Sequence, residues 1–454
     1  MTRVAAAVVG CKVNQADSDE ALARLCASGL NPAARDDADV VIVHTCCVTA
    51  EAERKSRQVA RREARAGRRV VVAGCAAALY PEQFLAPGLE LLGARSWDEV
   101  AEGCGAASAE APAAAGSSHA AGKRFAMRAA GTSTRVPSAH ARVPGARTRA
   151  VIKVQDGCAG RCTYCAVRLA RGLPRSRPLA ETLAAVDAAV RAGSGEVVLS
   201  GIDLGAWRDG DLRLADLVEA ITARPAFAHA DCSLPAGAAD PGLEGTAVGG
   251  PARLRLSSIE PRDVVERLVA ALAHERVARH LHMPLQSADD GVLVAMGRPY
   301  TYAEYEARVA LACRSLGPAM ISTDVIVGFP TEDEAAFART LAAIEGGSFG
   351  RVHVFAFSPR PGTEAAELPP LPPAVITARK ARALAAAEAA ARSARLDAIG
   401  RRAHVLIEDR RDGLSRGYSS EYIRYYVSGE ARPGQLVSVV ADAEHRDGVR
   451  GRIV

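Results

Sequence analysis

A chain of 454 residues with 49% apolar and 24% charged content has the make-up of a soluble globular enzyme of about three domains. Its formal net charge of +5 permits a nucleic-acid partner without requiring one. Eleven unevenly spread cysteines in so long a chain do not read as the disulfide framework of a small secreted protein, and no apolar run nears the ~20 residues of a membrane span.

Met1-Thr2-Arg3 before Val4–Val9 and Gly10-Cys11 imitates a lipoprotein leader, but its apolar core falls short of the ~7–15 residues export requires and Lys12 follows at once. The expectation is a cytoplasmic protein with reduced thiols and no membrane partner.

Along residues 1–100, apolar strand runs at Val4–Val9, Val40–Val43 and Val70–Ala73 alternate with helical patterns at Asp17–Gly29 and Ala50–Ala66. That order predicts a parallel α/β sheet. Each strand run leads into a cysteine, Cys11, Cys46 or Cys75, at the sheet edge where open α/β sheets place ligands. The three read as metal ligands of one iron–sulfur cluster with an open iron. Cys47 competes with Cys46, because neighbouring strand residues point to opposite faces; Cys46 is favoured. Cys26, Cys104, Cys232 and Cys313 lack partners at metal spacing and read as small buried apolar residues.

Residues 105–143 are rich in Ala, Gly, Ser and Pro and predict a linker. Directly after Val151–Val154 comes Cys158-Ala-Gly-Arg-Cys162-Thr-Tyr-Cys165. Three thiolates at CxxxCxxC spacing can hold three irons of a cubane cluster and leave the fourth open. A zinc knuckle is the bland alternative, but zinc prefers four closed ligands, and His229 is the one histidine within the next hundred residues.

Further strand runs at Glu196–Ser200, Leu254–Ser257, His280–Pro284, Met320–Val327 and Arg351–Phe357 are separated by helical stretches such as Leu179–Ala192, Asp263–His274 and Tyr302–Ser315. Six such units predict a partial βα barrel with its chemistry at the carboxyl ends of the strands; residues 228–251 read as a loop inserted into it. An Ala-rich helix, Ala374–Ile399, leads to short alternating strands at Ala403–Glu408, Tyr422–Val427 and Gln435–Val440, the pattern of a small β-barrel, which either binds RNA or caps the structure. The expected fold class is α/β: an N-terminal parallel α/β domain (1–104), the linker, a central partial (βα)6 barrel (144–375), a connecting helix (376–399) and a small all-β barrel (400–454).

The CxxxCxxC run after the first strand of a partial barrel resembles the radical S-adenosylmethionine (SAM) superfamily. With the three-cysteine N-terminal domain and the terminal barrel, nearly the whole chain resembles the radical SAM methylthiotransferases, whose last domain is a TRAM barrel. Gly10-Cys11-Lys12-Val13-Asn14-Gln15, Thr45-Cys46-Cys47-Val48-Thr49, Arg54-Lys55-Ser56-Arg57-Gln58, Val154-Gln155-Asp156-Gly157-Cys158, His280-Leu281-His282-Met283-Pro284-Leu285-Gln286-Ser287 and Gly417-Tyr418-Ser419-Ser420-Glu421-Tyr422-Ile423 are similar to the MtaB-like branch. That branch converts threonylcarbamoyladenosine, beside the anticodon of ANN-decoding tRNAs, to its 2-methylthio derivative. Sister branches act on isopentenyladenosine in tRNA or on an aspartate of a ribosomal protein. Cys47 and Trp207-Arg208 depart from the branch pattern.

The resemblance implies two 4Fe-4S clusters and two uses of SAM. One SAM methylates a sulfur held on the cluster of Cys11, Cys46 and Cys75. The other, on the catalytic cluster of Cys158, Cys162 and Cys165, yields the radical that takes hydrogen from carbon 2 of the adenine. Gly201, Asp203, Ser257, Glu260, Gln286, Ser287, Ile326 and Gly328 are SAM-binding candidates, and Tyr164 is a candidate to pack on its adenine. Arg171, Arg175 and Arg177 are tRNA-contact candidates; the basic helix from Arg54 to Arg65 is as readily a solvated face. A low-potential electron donor such as flavodoxin or ferredoxin, and a sulfur source, are further implied partners. A non-catalytic RNA-binding protein with structural metal sites is the competing reading of another class.

Overall fold

The computed structural model describes residues 1–93, 97–104, 148–228, 252–316 and 320–454. The expected linker, and all of the expected inserted loop but Ala228, lie outside the described residues, as does Cys232.

The first sheet is built from β1 (Arg3–Val8), β2 (Asn31–Pro32), β3 (Val40–Thr45), β4 (Arg69–Gly74) and β5 (Leu89–Leu91). All are parallel, in the order β2-β1-β3-β4-β5. A strand turns alternate residues to opposite faces, and here both faces are apolar. Val41, Val43, Val70 and Val72 pack with Ala60 of α2 (Ala50–Arg65). Val40, Ile42 and Val71 pack with Ala21 and Leu25 of α1 (Lys12–Ala27). Helix α1 begins at Lys12, five residues ahead of the predicted Asp17, because buried Asn14 fixes its first turn: Nδ2 donates to the carbonyls of Val9 (3.0 Å) and Thr45 (2.9 Å).

Six further strands form the core: β6 (Arg149–Lys153), β7 (Glu196–Ser200), β8 (Arg253–Leu256), β9 (His280–His282), β10 (Met320–Val327) and β11 (Phe349–Ala356). Two parallel triplets, β8-β7-β6 and β9-β10-β11, are joined by parallel bridges Leu254–Val277 and Ser258–His282. The result is an open barrel with free edges at β6 and β11. Ile321, Val325 and Val327 of β10 face outward into the main core, where Phe337, Ala343 and Ile344 of α9 (Glu334–Gly346, numbered after α3 Cys75–Leu79, α4 Val167–Arg171, α5 Leu179–Arg191, α6 Leu214–Thr222, α7 Glu266–Leu272 and α8 Tyr302–Leu316) pack. Ser322, Asp324 and Ile326 therefore face the lumen. Helix α1 lies along the open edge at β6, where Lys153 forms an ion pair with Asp17.

After α10 (Pro373–Asp397), five strands close a barrel: β12 (Arg402–Arg411), β13 (Leu414–Ser419), β14 (Arg424–Ser428), β15 (Leu436–His445) and β16 (Gly448–Ile453). It carries two strands, β13 and β16, that the alternation did not reveal: Gly417 and Gly451 interrupt the apolar pattern, and a Cβ on Gly417 would meet the Leu406 carbonyl at 1.9 Å. This barrel seals the amino-terminal end of the six strands. Fully buried Glu196 takes Arg255 Nε at 2.9 Å and Arg253 Nε at 2.5 Å; those arginines in turn donate to the carbonyls of His404, Ser419 and Ser420. A buried carboxylate matched by arginines that also donate to backbone carbonyls of the barrel ties the two domains together. Among the described residues no helix is long and apolar enough to cross a membrane.

Candidate two-cluster active site

Cys11, Cys46 and Cys75 each sit just beyond the carboxyl end of a strand, β1, β3 and β4. The positions need glycine beside them. Gly10 has φ +117°, and a Cβ there would lie 2.7 Å from Cys46 Cβ and 3.0 Å from its sulfur. Gly74 has φ +93° and lies against the backbone of Thr45. Thr45 ties two of the strand ends together, donating to Ala73 O (2.7 Å) and accepting from Ala77 N (3.0 Å), and Ser56 Oγ accepts from Cys46 N at 3.2 Å. Burial raises the Cys11 thiol pKa, and N–H groups of Asn14 and Val13 pull it back. Burial pushes Cys46 up to about 12. Solvent nonetheless touches Cys11.

Cys47 packs into the apolar core against Cys75. It is fully buried in the apolar cluster with Tyr80 and Phe84, and its thiol is hydrogen-bonded to Cys75. That bond and the Arg171 guanidinium hold Cys75 low, at about 6, despite its burial. Accordingly, Cys46→Ala is expected to lose the N-terminal cluster, with iron falling by about half, while Cys47→Ala keeps it. Iron per chain and the EPR signal of each variant measure this; the opposite pattern would make Cys47 the ligand.

The second set lies in the loop after β6. Gly160 N donates to Cys158 Sγ at 3.2 Å, Arg298 Nη1 to Cys162 Sγ at 3.2 Å, and the N–H groups of Val167 and Arg168 lower Cys165, though burial still pushes it up to about 11. Arg298 is itself buried, bonded to Tyr300 Oη at 3.0 Å and ion-paired with Glu260. Sequence reasoning missed Arg298, as it missed Asn14 and Gln155; Met-Gly-Arg-Pro carries no metal-ligand spacing. Gln155 shapes the loop, donating to the Gly157 carbonyl (2.7 Å) and accepting from Asp203 N (2.8 Å).

Arg171 joins the two sets and corrects an expectation. Read as a tRNA contact, it is buried, with 2% of its surface exposed. Its Nε donates to Cys75 Sγ (3.1 Å), Nη2 to Asn14 Oδ1 and Asp17 Oδ2 (both 2.8 Å), and Nη1 to Asp156 Oδ1 (3.1 Å). Buried and turned to these partners, it is not placed to meet a phosphate. Arg177 is mostly covered, and Trp207, the departure from the branch pattern, is buried with Nε1 donating to the Arg177 carbonyl at 2.9 Å. Arg175 stays exposed, and Arg161 and Arg168 are exposed beside it.

The SAM candidates divide. Asp203 Oδ1, Ser257 Oγ and Ser200 Oγ are buried without a hydrogen-bond partner among the described residues. Asp203 Oδ2 is held by Arg262 at 2.8 Å and lies 3.6 Å from Cys158 Sγ. Orphaned polar atoms next to a cysteine loop are what a polar ligand would satisfy. Gly201 packs on Gln155; Gln286, at φ 68°, holds a backbone conformation rare outside glycine. Ile326 and Tyr164 line one apolar patch with Phe329 and Phe357. Ser287 and Gly328 do not fit. The Ser287 hydroxyl is fully buried against Thr340 (3.2 Å), and the Gly328 amide is taken by Glu332 while a Cβ there would meet Ile376 at 2.8 Å. Both positions serve packing against helices on the outer face.

Soft donors surrounded by N–H groups fit iron–sulfur clusters. In neither triad do all three sulfurs lie within 4.8 Å of one another, whereas a tetrahedral zinc ion would draw its sulfurs to about 3.8 Å. Wider spacing suits a cubane, in which each thiolate binds a different iron.

Fold and cysteine sets define a radical SAM protein. Residues 152–344 match the family model described as "Radical SAM superfamily", and residues 3–91 match "Uncharacterized protein family UPF0004". Among solved structures, the radical S-adenosylmethionine methyltransferase TsrM of Kitasatospora setae has the same fold, with a TM-score of 0.54 at 16% identity over 81% of this chain and 74% of that one. The "Threonylcarbamoyladenosine tRNA methylthiotransferase MtaB" of Thermotoga maritima is 32% identical over 97% of this chain and 94% of its own length. That of Bacillus subtilis is 31% identical over 81% and 76%. The "tRNA-2-methylthio-N(6)-dimethylallyladenosine synthase" of Sorangium cellulosum is 35% identical over 90% and 82%. The chain belongs to the radical SAM methylthiotransferase family. It is thus a sulfur-group transferase, and the reading as a non-catalytic RNA-binding protein is set aside.

Proposed function

We propose that the chain inserts a methylthio group at carbon 2 of threonylcarbamoyladenosine, beside the anticodon of ANN-decoding tRNAs. The observation that carries this is the meeting of two cysteine triads at one junction, with Arg171 reaching from the loop of one to a sulfur of the other. Relatives named for this acceptor match across nearly the full chain. The Sorangium relative keeps isopentenyladenosine as the second reading.

When bound, SAM and two 4Fe-4S clusters supply the radical that activates carbon 2 and the sulfur inserted there. Cys158, Cys162 and Cys165 hold one cluster; Cys11, Cys46 and Cys75 hold the other. Asp203 and Ser257 orient SAM by their unpaired oxygens, and Glu260 acts through Arg298 on the Cys162 sulfur. Ile326 and Tyr164 exclude water from its adenine. Arg161, Arg168 and Arg175 meet the tRNA backbone, which positions without reading sequence, and the target base leaves its stack to enter. A flavodoxin or ferredoxin supplies low-potential electrons, a sulfur donor replenishes the second cluster, and the enzyme works in the cytoplasm.

The test is mass spectrometry of tRNA nucleosides from a strain lacking the gene. The expected result is threonylcarbamoyladenosine without its methylthio group, restored by the gene and not by Cys162→Ala. Persistence of that nucleoside, with loss of the isopentenyl counterpart, selects the second reading.

A further inference from the structure

Behind the candidate clusters the lumen carries polar groups that cluster binding does not use. His282 faces it from β9, Asp324 from β10 and His353 from β11, and Asp324 and His353 are directly paired across the strands. One ligand atom of each lies within 4.8 Å of the others. His282 is committed on both ring nitrogens, to Asp324 Oδ2 (3.1 Å) and to Ser322 Oγ (2.9 Å), so Asp324 is not a bare negative charge. His353, 5.8 Å from the His282 ring, makes no such hydrogen bond among the described residues.

Lys12, next to Cys11, completes the wall. Its Nζ lies 5.8 Å from the Tyr422 ring, which packs at a tilt against His280 with ring centroids 4.9 Å apart, so the ammonium reaches the same lumen at the floor made by the terminal barrel. Among the described residues it has no acidic partner. Besides the neighbouring Cys11, its titratable surroundings include Tyr422, His280 and His353, and the Tyr422 ring already lies beneath Arg149 and Arg255. Lys12 is also the first residue of α1, an end that has no acidic residue in its first turn and where a cation is disfavoured by the helix dipole. A cation placed against the dipole, beside the lumen and with no acidic partner among the described residues, suits an anion.

We infer that Lys12 and His353 form a subsite for the carboxylate on the acceptor's N6 substituent, with Asp324 accepting from that substituent's N–H or O–H. This rests on the proposed acceptor and explains how it is selected. Threonylcarbamoyl carries one carboxylate and several donors, matching the wall. An isopentenyl group would leave the same groups unpaired, the arrangement by which a polar site rejects an apolar analogue.

The reconstituted enzyme and its Lys12→Met and Lys12→Arg variants are assayed on anticodon stem-loops bearing threonylcarbamoyladenosine or its methyl ester, which removes only the charge. The unaltered enzyme is expected to favour the acid by at least about tenfold in kcat/KM. Lys12→Met should collapse that preference to near one with iron content retained, and Lys12→Arg should keep most of it. An unchanged preference in Lys12→Met overturns the inference. If Lys12→Met loses iron, His353→Gln decides by the same ratio. Should the unaltered enzyme act on neither stem-loop but on one bearing isopentenyladenosine, the acceptor reading itself fails; activity on the acid with no acid preference sinks the subsite alone.

Discussion

Replacing Cys162 with alanine should abolish SAM cleavage and lower iron from about eight to about four per chain, the N-terminal cluster remaining in place. A cluster held by three thiolates has no spare protein ligand, so losing one leaves two irons open and the cubane unstable. Cys162 is also the sulfur that receives Arg298, and Arg298 is fixed by Tyr300 and Glu260. Its loss therefore leaves one N–H of that guanidinium unpaired as well as an iron open. Turnover should fall to background, at least about 10⁴-fold, because no other group on the chain generates a radical. The N-terminal triad is built on different strand ends, held by Asn14, Thr45 and Ser56 and by Arg171, which Cys162→Ala leaves in place, so its signal should persist. Iron analysis and EPR, with 5′-deoxyadenosine measured under reductant, read all three arms. Retention of SAM cleavage would falsify the assignment of this triad.

How much of this was legible beforehand depends on the kind of signal. The strand ends were, because Val4–Val9, Val40–Val43 and Val70–Ala73 are continuous apolar runs buried on both faces, and a cysteine after each is conspicuous. The six core strands were visible as short apolar or alternating runs between helical stretches. The terminal barrel was half visible, since β13 and β16 alternate weakly around glycines demanded by close backbone packing. Charge was misread most. Arg171 stands in an Arg-rich stretch that looks like a polyanion contact, and nothing local distinguishes it from Arg175. Its partners Asn14, Asp17 and Cys75 lie about a hundred residues or more away. Ser287 and Gly328 were misplaced because spacing shows that a residue ends a strand but not which face it turns to.

Arg171→Met should loosen the junction between the first sheet and the core more than any other single change outside the cysteines. The guanidinium joins Asp17, on α1, to Asp156, on the cluster loop, from a buried position. Removing one partner of a buried pair costs about 3–5 kcal/mol, because the remaining charges stay desolvated. Burial alone would raise both carboxylates, yet Lys153 and Arg171 outweigh it and hold each below its usual range. Their contribution is therefore complete above the unfolded carboxylate value of about 4 and is lost as pH falls towards the folded one. In Arg171→Met that counter-charge is weakened, burial gains the upper hand and the carboxylates titrate higher. The variant's deficit should be largest near neutral pH and should shrink as the carboxylates protonate on approach to pH about 4. Hydrogen exchange across Lys12–Ala27 measures it, with opening expected to rise by about two to three orders of magnitude at pH 7. The N-terminal cluster should also become labile, since Cys75 loses the cation that helps keep it a thiolate. A deficit that does not vary with pH would mean that Arg171 acts by packing its stem and not by its charge.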